Sequence, residues 1–173
     1  MRGLAVAGNV AGVKPTTIFL LIALLLSPLS CLAGNGKPSD ATGVSEARRA
    51  AIVAYCQKNR GRKVGNGECW TLANEAFKNT GAKRQEGQLR VWGRRLDLRR
   101  ESPLPGDILE CEGTRFADGS YVSIHHTAVI IGVHSPTFVR IAEQNFGGKK
   151  KVLMRDLELS GIRGGRIAVF RPH

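Results

Sequence analysis

The hydrophobic period of this chain changes once, at Pro105-Gly106-Asp107, and that change limits the folds open to it. Upstream, apolar residues recur at helical spacing. Ser45 and Glu46 open a segment whose apolar positions are Ala47, Ala51, Ile52, Tyr55 and Cys56, ending near Asn59-Arg60-Gly61. A second helix, predicted from Cys69 to about Asn79, sets Leu72, Ala73, Ala76 and Phe77 on one stripe, with Gly81 as its C-terminal cap. Residues 82–104 are polar and irregular, apart from Leu89–Trp92 and Leu96–Leu98, which read as short extended pieces. Downstream the pattern turns to β. Strands are predicted at Ile108–Cys111, within Tyr121–Val133, at Thr137–Glu143 after Pro136, at Lys151–Leu157 after Gly147-Gly148, and at Arg166–Phe170 after the loop Ser160–Gly165. Helices first and strands afterwards, with short connections, predict an α+β domain: N-terminal helices packed on a mostly antiparallel sheet.

The N-terminus has a different character. Ile18 to Leu26 is uninterruptedly apolar, Arg2 and Lys14 precede it, and no acidic residue occurs before Asp40. Pro28 follows the run, and Cys31-Leu32-Ala33 stands where a small-residue cleavage site belongs. Residues 1–33 therefore read as a secretory signal peptide, 34–44 as a Gly/Asn/Lys/Pro/Ser linker, and 45–173 as the folded domain. The apolar run is too short to span a bilayer comfortably. Pro28 and Leu29 before Cys31 disfavour a lipoprotein cysteine. The expected destination is periplasmic or extracellular.

Charge and cysteine count narrow the partners. The chain carries +12, and without the signal segment 24 of the 26 basic residues still face all 14 acidic ones, leaving about +10. Such a charge favours a polyanionic surface. The basic residues are scattered and not interleaved with aromatics, and no recognition helix is visible, so nucleic acid is not expected. Cys56, Cys69 and Cys111 remain beyond the signal. Their number admits a Cys56–Cys111 bridge beside a free Cys69, or unpaired core thiols, which we favour. Without a C-x-x-C pair, no structural zinc and no metal site is predicted.

Cys69 itself lies where a glycine-containing loop, Val64 to Glu68, turns into the second helix. Unpaired N–H groups and the positive end of the helix dipole favour thiolate there, and thiolate is the nucleophile. A nucleophilic cysteine needs a base, and the base an orienting partner. His126 begins the apolar run Thr127 to Ile131, and of the neighbours His125 and His126 only one faces Cys69 while the other points away. Glu143 and Asn145, two apart, share a face if the strand continues through them, and pairing of these strands would bring a polar group to the far imidazole nitrogen.

Gly67-Glu68-Cys69-Trp70 at a helix start, Leu104-Pro105-Gly106-Asp107, His126-Thr127-Ala128-Val129-Ile130 and Glu143-Gln144-Asn145, in this order and spacing, resemble the CHAP domains. These are cysteine, histidine-dependent amidohydrolases/peptidases related to the NlpC-type cell-wall peptidases and to papain. The resemblance covers about residues 45–172. It implies a papain-like fold, Cys69 as nucleophile, His126 as base, Glu143 as the group orienting the imidazole and Asn145 as a second polar group of the site. It also implies an exported monomeric hydrolase of peptidoglycan amide bonds, endopeptidase or amidase, needing no cofactor. Glu68 stands where many of these domains carry glutamine, and its charge, if turned inward, would raise the thiol pKa. The Gly-x-Gly-Glu-Cys-Trp-x-Leu-Ala version is similar as well to a cysteine-proteinase-fold domain of fungal myosin-tail-interacting scaffold proteins. That second likeness implies the alternative, a non-catalytic extracytoplasmic binding module.

Overall fold

The structure, a computed structural model, describes residues 45–84, 87–120, 122 and 124–173. The expected signal segment and linker lie outside the described residues. Helix α1 spans Glu46–Lys58, and the Ser45 hydroxyl accepts the Arg48 N–H at 3.3 Å as its N-cap. Only Ile52 and Cys56 of this helix are fully buried, while Ala47 and Ala51 stay in solvent. Ile52 and Cys56 lie four residues apart on one narrow stripe. Ala47 and Ala51 sit about 100° or more round the helix from it, so the buried face is narrower than the alanines suggest. Helix α2 spans Cys69–Thr80, buries Thr71, Leu72, Ala73, Ala76 and Phe77, and ends on Gly81 in the left-handed conformation (φ 68°).

Six strands follow: β1 (Arg94–Arg95), β2 (Ile108–Phe116), β3 (His125–Val133), β4 (Phe138–Glu143), β5 (Leu153–Glu158) and β6 (Ile162–Arg171). They form one sheet in the order β1-β6-β2-β3-β4-β5, every pairing antiparallel. The α+β architecture with helices before the sheet is therefore the one expected. Two local expectations fail. Leu89–Trp92 and Leu96–Leu98 are not strands; only Arg94–Arg95 pairs, with the end of β6. Trp92 is buried for packing, its ring edge-on to Phe77 with centroids 5.5 Å apart, whereas Leu89 is largely exposed. The β2 and β6 strands also outrun their predicted ends, because pairing continues past an irregularity between Glu112 and Arg115 to Phe116 opposite Ile162. The Gly164-Gly165 pair, which reads as a loop, lies inside β6.

Alternation along β2 divides the core. Ile108 joins Ile52, Leu72, Phe77, Trp92 and Val129 beneath the helices, and Leu109 joins Ile130, Ile141 and Val169 in a second cluster. Cys56 belongs to the first cluster and Cys111 to the second. Both are unpaired, as is Cys69, so the Cys56–Cys111 bridge does not form. The Pro-Gly-Asp turn anchors the sheet. Its buried Asp107 carboxylate binds Arg171 near the end of β6 (3.0 and 3.2 Å) and accepts the Leu104 N–H at 2.8 Å. Among the described residues, no helix is long and apolar enough to cross a membrane.

Candidate active site

The loop before Cys69 is shaped by Gly65 (φ 56°) and Gly67 (φ 88°), whose left-handed backbones are cheap only for glycine. It is fastened by a residue 76 to 80 positions away. Gln144, fully buried, accepts the Val64 N–H at 3.1 Å, and its amide nitrogen lies 2.9 Å from the Val64 carbonyl, 2.8 Å from the Glu68 carbonyl and 2.6 Å from the Thr71 hydroxyl. The start of α2 is thereby tied to the end of β4.

Cys69 is the first residue of α2 and is half-buried. Burial alone would push its thiol up. Hydrogen bonds to the sulfur from the His126 ring and from the Thr127 and Trp70 backbones outweigh burial and hold it below the ordinary thiol value. The Thr127 contact follows from the sheet. β3 pairs with β4 only from Ala128 onward, so the Thr127 N–H has no β4 carbonyl and donates to sulfur instead.

His126 is buried, and its Nε2 lies 2.7 Å from Glu143 Oε2. With Nε2 so engaged, Nδ1 is the nitrogen left for sulfur. Burial would lower the imidazole pKa, but the hydrogen bonds to Cys69 and Glu143 prevail and raise it to about 9. Glu143 is fully buried, which alone would raise its carboxyl; His126 and Arg155 reverse that and hold it below the usual value. Its second oxygen accepts from Arg155 Nε at 2.6 Å, and the Arg155 guanidinium stacks over Phe146, 4.5 Å from the ring centre. Phe146 in turn stands edge-on to the His126 ring. A thiol, an imidazole, a carboxylate and a guanidinium thus form one continuous chain.

Cys69, His126 and Glu143 come together as the sequence suggests, with Ala128 opposite Glu143 in the β3–β4 register. Asn145 does not share the face of Glu143. β4 ends at Glu143, and Asn145 adopts φ 62°, which swings its amide to Glu68 Oε2 at 2.8 Å. Lys150 binds the other Glu68 oxygen at 3.0 Å, so the Glu68 charge is engaged away from the thiol. His125 does not leave the site either; it lines, with Cys69, Trp70 and Trp92, a cleft of about 400 Å³. Sequence reasoning misses Gln144, Arg155 and the Thr127 N–H. A glutamine between two polar neighbours carries no signal of a partner 80 positions upstream, and neither does an arginine among 26 basic residues.

A cysteine at a helix N-terminus facing a carboxylate-bound histidine on an antiparallel sheet defines a papain-like cysteine-proteinase-fold domain. Residues 43–173 match the AIM3/BBC1 cysteine proteinase-fold domain, and the chain belongs to that family. Two solved structures are similar in fold. "The crystal structure of Ly7917" shares 16% identity over 71% of this chain and 62% of its own, with a TM-score of 0.48. "The crystal structure of Ly7917 with the hydrolyzing product of MDP" shares 17% identity over 74% and 63%, with a TM-score of 0.45. The chain thus spans less than two thirds of the length of these structures. No curated protein matches it.

Proposed function

We propose that this domain is a thiol hydrolase of amide bonds. The observation that carries the reading is the Cys69–His126–Glu143 arrangement, with the thiol held below and the imidazole above its ordinary value at the edge of an open cleft. Opposite shifts in two adjoining groups favour a thiolate–imidazolium pair, the reactive form of a cysteine nucleophile. The Cys69 sulfur attacks the amide carbonyl, and the Cys69 N–H at the start of α2 helps bind the resulting oxyanion. The His126 proton passes to the leaving nitrogen, and His126 then takes a proton from the water that hydrolyses the thioester. Glu143 holds the imidazole and stabilises its charged form, and Asn145 acts indirectly, by holding Glu68 away from the sulfur.

As substrate we propose peptidoglycan, or another anionic cell-wall polymer, met by a monomer exported through residues 1–33. The large positive charge and the CHAP-like motifs support this. Mass analysis of purified peptidoglycan digested with the protein tests it: new stem-peptide or sugar–peptide fragments are expected, and none with Cys69→Ala. The second reading, a binding module, is favoured by the match to the AIM3/BBC1 cysteine proteinase-fold domain. Retention on intact sacculi, with no fragments and no amide cleavage in any peptide, would establish it.

A further inference from the structure

The cleft beside Cys69 does not end with the first cavity. A second, of about 500 Å³, adjoins it and shares Leu89, Arg90 and His125 as common walls. Arg95 lines the second lobe, and Arg90 lines both. Five arginines of the sheet are bound to carboxylates: Arg94 to Glu101, Arg140 to Asp156, Arg155 to Glu143, Arg166 to Glu112 and Arg171 to Asp107. Arg90 and Arg95, on the groove, are not so bound. Both are exposed, and among the described residues neither makes a side-chain hydrogen bond or ion pair.

The acid nearest at hand does not neutralise them. Glu110 lines the second lobe but is nine-tenths buried, its Oε1 accepting from the Trp92 indole and, at 2.7 Å, from the Thr127 hydroxyl. Its Oε2 has no hydrogen-bond partner. Burial raises the carboxyl toward its neutral form, and the opposing pull of Thr127, Trp92 and the more distant Arg90 charge does not overcome it. Glu112, the other acid of the lobe, is already bound to Arg166. Two guanidiniums, each a planar fork of donors suited to a carboxylate, are left facing the groove without a bound counter-charge.

We propose that Arg90 and Arg95 form a carboxylate-binding subsite in this second lobe, so that the preferred substrate is a peptide with an acidic group close to the amide cleaved at Cys69. Because Arg90 borders both lobes, the acid and the scissile carbonyl belong to the same short segment of substrate. The assignment rests on the hydrolase reading for its catalytic meaning and on the groove alone for binding.

The test uses acetylated, C-terminally amidated tetra-alanine peptides with one glutamate or one glutamine substituted at each position in turn, and the all-alanine peptide with a free C-terminal carboxylate. With the native protein, kcat/KM for the best glutamate peptide should exceed that of its glutamine counterpart at least ~10-fold, and the preference should shrink with added salt. In Arg90→Ala/Arg95→Ala, checked for an unchanged melting temperature, the ratio should fall toward one. A ratio that is near one in the native protein, or unchanged in the variant, overturns the subsite. Calorimetric binding of the same peptides to Cys69→Ala separates the two readings. Preferential binding without turnover by the native protein sinks the hydrolase and keeps the subsite; turnover with no binding preference does the reverse. If the free-acid peptide matches the glutamate peptide, the carboxylate read by the arginines is the chain terminus.

Discussion

Asn145 Nδ2 and Glu68 Oε2, 77 positions apart in sequence, meet at 2.8 Å, and Lys150 completes the grip on the same carboxylate. The negative charge adjoining the nucleophile is therefore neutralised outside the cleft. Glu68→Gln should leave the pH at which Cys69 is alkylated nearly unchanged. Asn145→Ala, which frees the carboxylate from one of its two partners, should move that pH upward. Iodoacetamide kinetics across pH read both, and a large downward move in Glu68→Gln would mean that Glu68 does act on the sulfur.

The thiol and imidazole give a pH window with a defined sign. Cys69 ionises below the ordinary thiol value, so at pH 7 its alkylation should be faster than that of a free thiol of pKa about 8.5. His126, raised to about 9, keeps its proton through neutrality, so amide turnover should fall as pH rises through about 9. The raised His126 pKa also contributes stability that is complete below about 6.5 and is lost as pH passes 9. In His126→Ala the Thr127 and Trp70 backbone contacts remain but the largest offset to burial is lost, and Cys69 alkylation should shift to higher pH. Cys56 and Cys111, pushed by burial to about 12, should stay unmodified in the folded protein.

Glu143→Gln should cost far more turnover than Asn145→Ala, on the order of 10²-fold or more, because the Glu143 carboxylate stabilises the imidazolium directly whereas the Asn145 amide holds only Glu68. His125→Ala, which alters the cleft wall but not the proton path, should act mainly on KM. Steady-state kinetics on one amide substrate check all three. If His125→Ala abolished alkylation of Cys69 while His126→Ala preserved it, the assignment of the base would be wrong.

Removing Asp107 should destabilise the domain without touching the chemistry. Asp107→Ala strips the buried Arg171 guanidinium of its main carboxylate, a loss of about 3–5 kcal/mol for a broken buried pair. Denaturant unfolding measures it, and the alkylation profile of Cys69 in the folded variant should be unchanged.

How much of this is legible in the sequence depends on the range of the interaction. Helix α2, its Gly81 cap and the Cys69–His126–Glu143 set follow from local pattern: a loop-to-helix cysteine and two paired strands in which alternation fixes the facing side chains. Asn145 breaks the same rule, since an αL turn at the strand end cannot be seen in an alternating pattern. The short extended pieces around Trp92 fail because that residue is buried by aromatic packing on α2 and not by sheet pairing. Gln144 and Arg155 are invisible for another reason: their roles exist only once the loop before α2 and strand β5 stand beside the end of β4.

That late assembly also has a temporal side. As the chain is synthesised, Cys69 emerges long before His126, Glu143 and Gln144, and until β3 and β4 dock against α2 it lacks the His126 and Thr127 contacts that lower its pKa. The lowered thiol value is therefore a product of the completed fold, and a nascent or partly opened molecule does not have it in full. The rate of Cys69 labelling becomes a clock for the docking of the helices onto the sheet.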